Sequence, residues 1–255
     1  MPATCPVRPI STHAELLAAS GDDVFVRWQV RADEPLQAWH VGGAVAFMRT
    51  WAPGRRQLTV LGPPPAAAAA VHALVGEVAG SAGAQGITVP FGTLPLLGPD
   101  LRIGPGDDWD WMWADATTIG HVDDDRVQRL GDDALGDVTD LLAVASPRHS
   151  SEPGDSDVRA WYGMRVDGDL VACAAHTESV PGVPHLASIA THPRRRGQGL
   201  GTALTATVTT RLLGAGASVV TLGMYADNDV ARRLYVRIGY VCSHRWSSRA
   251  VVVRH

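Results

Sequence analysis

Apolar positions along this chain alternate between two rhythms, one of period 2 and one of period 3.6, and the switches between them mark out an α/β protein. Thr12–Ser20 reads as a short helix with Thr12 as its N-cap. Val24–Val30 (VFVRWQV) alternates apolar and polar residues and predicts a half-buried strand. Ala38–Val41 and Ala44–Trp51 read as two strands joined at Gly42-Gly43. Leu58–Leu61 is a further strand, Ala66–Ala79 a helix by propensity, and Gly86–Phe91 another strand. Trp109, Trp111 and Trp113 share one face of a period-2 segment, which suits core packing better than an aromatic substrate wall.

An acidic, turn-rich passage from Asp115 to Asp125 follows, and the pattern sets the domain boundary near Gly120. The Asp clusters there read as a solvated linker and helix caps rather than as metal ligands. Beyond it, Val127–Leu130 is a short strand, and Asp133–Ala145 carries Leu135, Val138, Leu141 and Leu142 at helical spacing. Arg159–Val166 and Leu170–Glu178 flank Asp167-Gly168, a hairpin signal. His185–Thr191 is a strand, and Leu200–Leu213 a helix stopped by Gly214 and Gly216. Ser218–Met224 is a strand, Asp229–Ile238 a helix ended by Gly239, and Tyr240–Trp246 and Arg249–Val253 are two closing strands. The expected architecture is a mixed central sheet flanked by helices, divided into a domain of residues 1–119 and one of residues 120–255.

Composition narrows the function. The 255 residues are 45% hydrophobic and 19% charged, enough apolar material for a packed core. A net charge of −4 argues against a general nucleic-acid partner. All 22 basic residues are Arg, which excludes lysine chemistry such as a Schiff base or a Walker P-loop. Cys5, Cys173 and Cys242 form neither a disulfide framework nor a metal motif. The start, MPATCPVRPI, lacks the apolar core of a signal peptide, and the Ala66–Ala79 run is too short and polar to cross a bilayer. The expectation is a cytoplasmic monomer or homodimer without a membrane partner.

The most informative stretch is Ile189–Thr202: a strand, a proline, Arg194-Arg195-Arg196, then Gly197, Gly199 and Gly201 before a helix. Glycines let the backbone approach a ligand, and the helix start offers unpaired amides and a positive dipole end. Together they form an anion cradle suited to a pyrophosphate. A dinucleotide fingerprint would need GxGxxG and an acid about 20 residues on, and neither spacing is met.

Arg196-x-x-Gly199-x-Gly201 resembles the Q/R-x-x-G-x-G/A signature of the GCN5-related N-acetyltransferases (GNAT). Asn228-x-x-Ala231-x-x-Leu234-Tyr235-x-x-x-Gly239-Tyr240 resembles that family's second motif, one strand later. The resemblance covers roughly Gly120 to His255 and implies an acetyl-CoA-dependent N-acetyltransferase without a metal. It implies that the backbone of Ile189, Ala190 and Thr191 binds the pantetheine and polarises the thioester carbonyl. Arg196, Gly197, Gln198, Gly199, Leu200, Gly201 and Thr202 would hold the pyrophosphate. Asn228 would contact the pantetheine arm, and Tyr235 would stand at the thioester sulfur. Read from the helix pattern alone, Asn228 is equally an N-cap and Tyr235 a core residue.

One position departs from the family. Many members carry Glu five residues before the Asn, where this chain has Gly223. His185, at a position some members use, is the candidate base, with His176 and Glu178 behind it. The missing Glu also motivates an alternative, a catalytically silent CoA-binding sensor. The acceptor is expected to be a small-molecule amine or a peptide N-terminus. In the first half, Leu58–Ala79 followed by Gly86–Phe91 repeats the order strand, loop, helix, strand. It reads as a degenerate GNAT-like domain whose loop carries Pro63, Pro64 and Pro65, which have no N–H to offer a phosphate.

Overall fold

The computed structural model describes residues 6–52, 55–81, 84–99 and 101–252; Cys5 and Val253 lie outside them. In chain order the elements are β1 (Val7–Ile10), α1 (His13–Ala19), α2 (Val24–Gln29), β2 (Ala38–Val41), β3 (Ala44–Ala52), β4 (Arg55–Leu61), α3 (Pro64–Ser81), β5 (Gly86–Pro90), β6 (Arg102–Ile103), β7 (Asp108–Ala114), β8 (Gln128–Leu130), α4 (Leu135–Ala145), β9 (Val158–Val166), β10 (Asp169–Val180), β11 (Val183–Thr191), α5 (Leu200–Gly214), β12 (Val220–Tyr225), α6 (Asp229–Ile238) and β13 (Val241–Val252).

The segment Val24–Gln29 is helix rather than the expected strand. Asp23 caps it, its side chain accepting from Phe25 N and Val26 N, and the buried residues Phe25, Val26 and Val30 recur at helical spacing. Local capping outweighs a short alternating pattern. The two closing strands are one continuous strand, β13.

The chain forms two compact units, and they do not divide at a single cut near residue 120. One comprises Met1–Asp110, Tyr225–Asp227 and Ser243–His255; the other comprises Trp111–Met224 and Asn228–Cys242. Strands β7 and β13 each pass from one unit into the other, so no linker marks the boundary. The tryptophan strand is accordingly buried on both faces, with Trp111 and Met112 at 0% exposure.

The first unit orders its strands β1-β2-β3-β4-β5-β13, and the second β7-β12-β11-β10-β9-β8. Both follow one scheme. Three antiparallel strands (β2–β4; β9–β11) are followed by a crossover helix (α3; α5) and by a strand parallel to the third (β5; β12). In the second unit, Leu200, Leu204, Val208 and Leu212 of α5 form an i, i+4 stripe packed on Ala172, Ala174, Leu186 and Leu222. On the opposite face Val138, Leu141 and Leu142 of α4 pack on Cys173, Ala175, Ala187 and Ala190. In the first unit α3 packs on Leu58, Val60, Ile87 and Val89.

Candidate active site

The site is built around β11. Its parallel ladder with β12 contains only His185↔Thr221 and Leu186↔Leu222. Beyond Leu186 the strand stays paired with β10 on one side while its other edge has no ladder partner among the described residues. Backbone amides on that edge are donors for a ligand.

A bulge then re-aims the strand. Cys173 pairs with Ala190 and Ala175 with Ala187, so two steps of β10 face three of β11. The extra residue lies beside Ser188, whose φ is +48°. Strict alternation would put His185, Ala187 and Ile189 on one face. Instead Ala187 and Ala190 pack on the α4 side, and Ile189 turns to the α5 side. Cys173 lies beneath the bulge, and burial pushes its thiol pKa up to about 12, so it is inert as a nucleophile.

After Thr191 the chain turns through His192, whose Nδ1 accepts from Arg194 N at 3.2 Å. Gly197 and Gly199 both sit at φ +77°, and a Cβ built on either meets no atom within 4 Å. Gly199 is the N-cap of α5 and contributes no side-chain bond. The first intrahelical bond runs from Ala203 N to Gly199 O at 2.9 Å. The amides of Leu200, Gly201 and Thr202 therefore have no intrahelical partner and stand at a positive helix end. Gly201 serves packing: its Cβ would stand 3.2 Å from Thr191 Oγ1 and 3.5 Å from Leu234 Cδ1. Gln198 completes the turn and is exposed.

The Arg196 guanidinium is held by main-chain carbonyls. Its Nε donates to Thr191 O at 3.3 Å and an amino group donates to Ala145 O at 3.0 Å, fastening the loop to β11 and to the end of α4. Thr202 Oγ1 accepts from Arg237 at 3.2 Å, which ties α5 to α6. Asn228 is the N-cap of α6, its Oδ1 accepting from Ala231 N at 3.1 Å. Tyr235 is buried on α6 with its ring 6.0 Å from that of Tyr240. The Tyr240 hydroxyl donates to Thr209 Oγ1 at 2.7 Å, Thr209 in turn donating to Thr205 O. Burial raises the Tyr235 pKa above the usual phenol value, so it keeps its proton and acts as a donor.

Known proteins resemble this chain in sequence and in fold. Residues 137–240 match the Acetyltransferase (GNAT) family. That segment is a GNAT domain.

Solved structures share the fold over nearly the whole chain. A GCN5-related N-acetyltransferase from Sphaerobacter thermophilus is 16% identical over 98% of this chain and 96% of its own, with a TM-score of 0.58. A GNAT-family protein from Novosphingobium aromaticivorans is 22% identical over 94% and 97%, with a TM-score of 0.55. A GCN5-related N-acetyltransferase from Kribbella flavida is 17% identical over 86% and 91%, at 0.55. No curated protein sequence matches significantly. The GNAT family in general transfers acetyl groups from acetyl-CoA.

The GNAT domain has His185 in the short stretch where β11 and β12 are paired, opposite Thr221. Its Nδ1 lies 2.9 Å from Thr221 Oγ1, and Thr221 Oγ1 donates to Pro184 O at 3.3 Å. Gly223 follows Thr221 by two residues on the same face of β12 and is exposed. His176 packs instead on the face of Leu186, its Cα partner on β11. Its Nε2 is 3.3 Å from Glu178 Oε1. Desolvation lowers the His176 pKa against the opposing pull of Glu178, so the ring is neutral. Glu178 is engaged with Arg159 at 3.7 Å. His185 and Glu178 thus stand in different settings, His185 being hydrogen-bonded to Thr221 on β12, two residues before Gly223. Among the described residues no group of His, Cys, Asp and Glu could hold a metal ion. No helix of the described residues is long and apolar enough to cross a membrane. Sequence reasoning missed Ser188, Ser151, Thr221 and the carbonyl-binding role of Arg196, because each acts through contacts distant in sequence.

Proposed function

We propose that the chain catalyses transfer of the acetyl group of acetyl-CoA to a primary amine of a small molecule or peptide N-terminus, by direct attack on the thioester. The observation that carries this is the edge of β11 that has no ladder partner beyond Leu186 among the described residues, leading through a glycine turn with open space at Gly197 and Gly199 into a helix start. Those residues fit the cosubstrate: a pyrophosphate needs the amides of residues 197–202, and a pantetheine amide needs a strand edge to pair with. When bound, acetyl-CoA supplies the thioester carbonyl that an amine attacks and the thiolate that leaves.

The chain's own groups divide the remaining work. Within Ile189–Thr191 the amides of Ile189 and Thr191 point away from β10 and are fixed donors for negative charge growing on an oxygen, while Ala190 pairs with Cys173. Asn228, with Oδ1 committed to capping, has its amide nitrogen for the pantetheine arm. Tyr235 supplies a protonated hydroxyl to a leaving sulfur. His185 takes the proton of an amine that is otherwise mostly charged at neutral pH, the reference values being ~8 to ~10. Amine-dependent release of free thiol from acetyl-CoA tests the reaction, and CoA binding without thiol release for any amine refutes it. Replacing His185 with Ala is expected to lower kcat/KM about a hundredfold and to remove the fall of the pH profile on its acid side. Full activity with an unchanged profile would leave water as the proton acceptor.

The first unit should take no CoA. Its first bond in α3 runs from Ala67 N to Pro63 O, which makes Pro63 the counterpart of Gly199. Pro64 and Pro65 then stand where the second unit has the amides of Leu200 and Gly201, and proline has no N–H. Calorimetric titration is expected to saturate at one CoA per chain; a stoichiometry near two would contradict this.

A further inference from the structure

We propose that Ser188 is a positioning residue for acetyl transfer, acting through a hydroxyl clamp on the main chain of Ser151. This rests on the acetyl-transfer reading above. Ser188 adopts φ +48°, a region that residues other than Gly, Asn and Asp seldom enter. A glycine would adopt it freely, so the serine side chain has a task there. Its Oγ accepts from Ser151 N at 2.9 Å and donates to Ser151 O at 2.8 Å. One hydroxyl thereby satisfies both main-chain groups of a buried residue, as a neighbouring strand would. Ser188 and Ser151 are 8% and 6% exposed, so water does not replace these bonds. Cys173 Sγ, 4.0 Å from Ser188 O, closes the other side.

The clamp has two consequences. It holds the extra residue of β11 at one place, which decides that Ile189 turns to the α5 side and Ala190 to the α4 side. The amides from 189 to 191 inherit their directions from that choice. It also latches the segment between α4 and β9 to the strand that carries those amides. That segment is braced internally by His149, whose Nδ1 lies 2.8 Å from Ser146 O and whose Nε2 lies 3.0 Å from Glu152 Oε1. The pyrophosphate cradle begins at Gly197, outside the clamp. Losing the clamp should therefore misplace the carbonyl-polarising amides without loosening the grip on the cofactor.

Ser188→Gly separates the two roles of the residue, because glycine keeps the backbone conformation and loses the hydroxyl. Steady-state kinetics and amide hydrogen exchange are measured on Ser188→Gly and on Ser151→Ala, which leaves both main-chain bonds in place. Ser188→Gly is expected to lower kcat about tenfold to a hundredfold with KM for acetyl-CoA within about twofold. Exchange should accelerate together at residues 149–153 and 187–191, and Ser151→Ala should behave as wild type. Unchanged kcat in Ser188→Gly, a parallel loss of acetyl-CoA binding, or faster exchange in only one of the two segments would overturn the proposal. If the wild-type protein turns over no amine, the acetyl-transfer reading fails and the proposal falls with it. Joint loosening of the two segments would then establish only a structural clamp.

Discussion

Tyr235→Phe is expected to lower kcat by about 10²–10⁴-fold, the range for loss of a positioned general acid, while acetyl-CoA affinity stays the same. Tyr235 is buried, and its phenol holds its proton well above neutral pH. Removing the hydroxyl leaves the ring in its packing against Tyr240. Stability should change little, which isolates the chemical effect. A variant within a few-fold of wild type would reduce Tyr235 to a packing residue. Tyr240 makes a useful contrast, because its hydroxyl is committed to Thr209 and Tyr240→Phe should act on stability rather than on kcat.

Gly199→Val is expected to abolish the stabilisation that acetyl-CoA confers. At about a hundred times its dissociation constant, a ligand stabilises the folded state by roughly 2.7 kcal/mol. The isopropyl group would occupy the open space over the N-terminus of α5, where no protein atom lies within 4 Å of the Cβ position. It would also force a β-branched residue to φ +77°, which strains the loop irrespective of ligand. The informative quantity is thus the ligand-induced shift in Tm from the variant's own baseline. A shift equal to that of wild type would mean the cradle is not where the cofactor binds.

The sequence carried the second unit well because its signals are local. The Asp229–Ile238 helix is bounded by an Asn cap and a left-handed glycine, and both ends fall where those residues stand. The Asp167-Gly168 turn fixed a hairpin whose strands pair from Val166↔Asp169 onward. The glycine turn and the helix start behind it were legible because they are adjacent in the chain. What was not legible depends on distant partners. Ser188 looks like an ordinary small residue in an apolar strand, and its bulge is evident only once Ser151 is placed against it. The bonds of Arg196 to the carbonyls of Thr191 and Ala145 could not be read from the sequence, because Ala145 lies 51 residues away. The division near Gly120 assumed that each domain is a continuous stretch. Strands β7 and β13 instead run from one unit into the other, a topology that period-2 patterns cannot reveal. Val24–Gln29 was misread because six residues give too short a window to separate the two periods, and the Asp23 cap decided it.

The central claim is that the GNAT domain moves an acetyl group onto an amine nitrogen. Incubation with acetyl-labelled acetyl-CoA and a panel of primary amines, followed by mass spectrometry of the amines and assay of free thiol, tests it most directly. The account predicts labelled N-acetyl product and thiol in equal amounts for at least one amine, with both abolished in Gly199→Val. Saturable CoA binding with no labelled amine and no thiol above the hydrolytic background would contradict it.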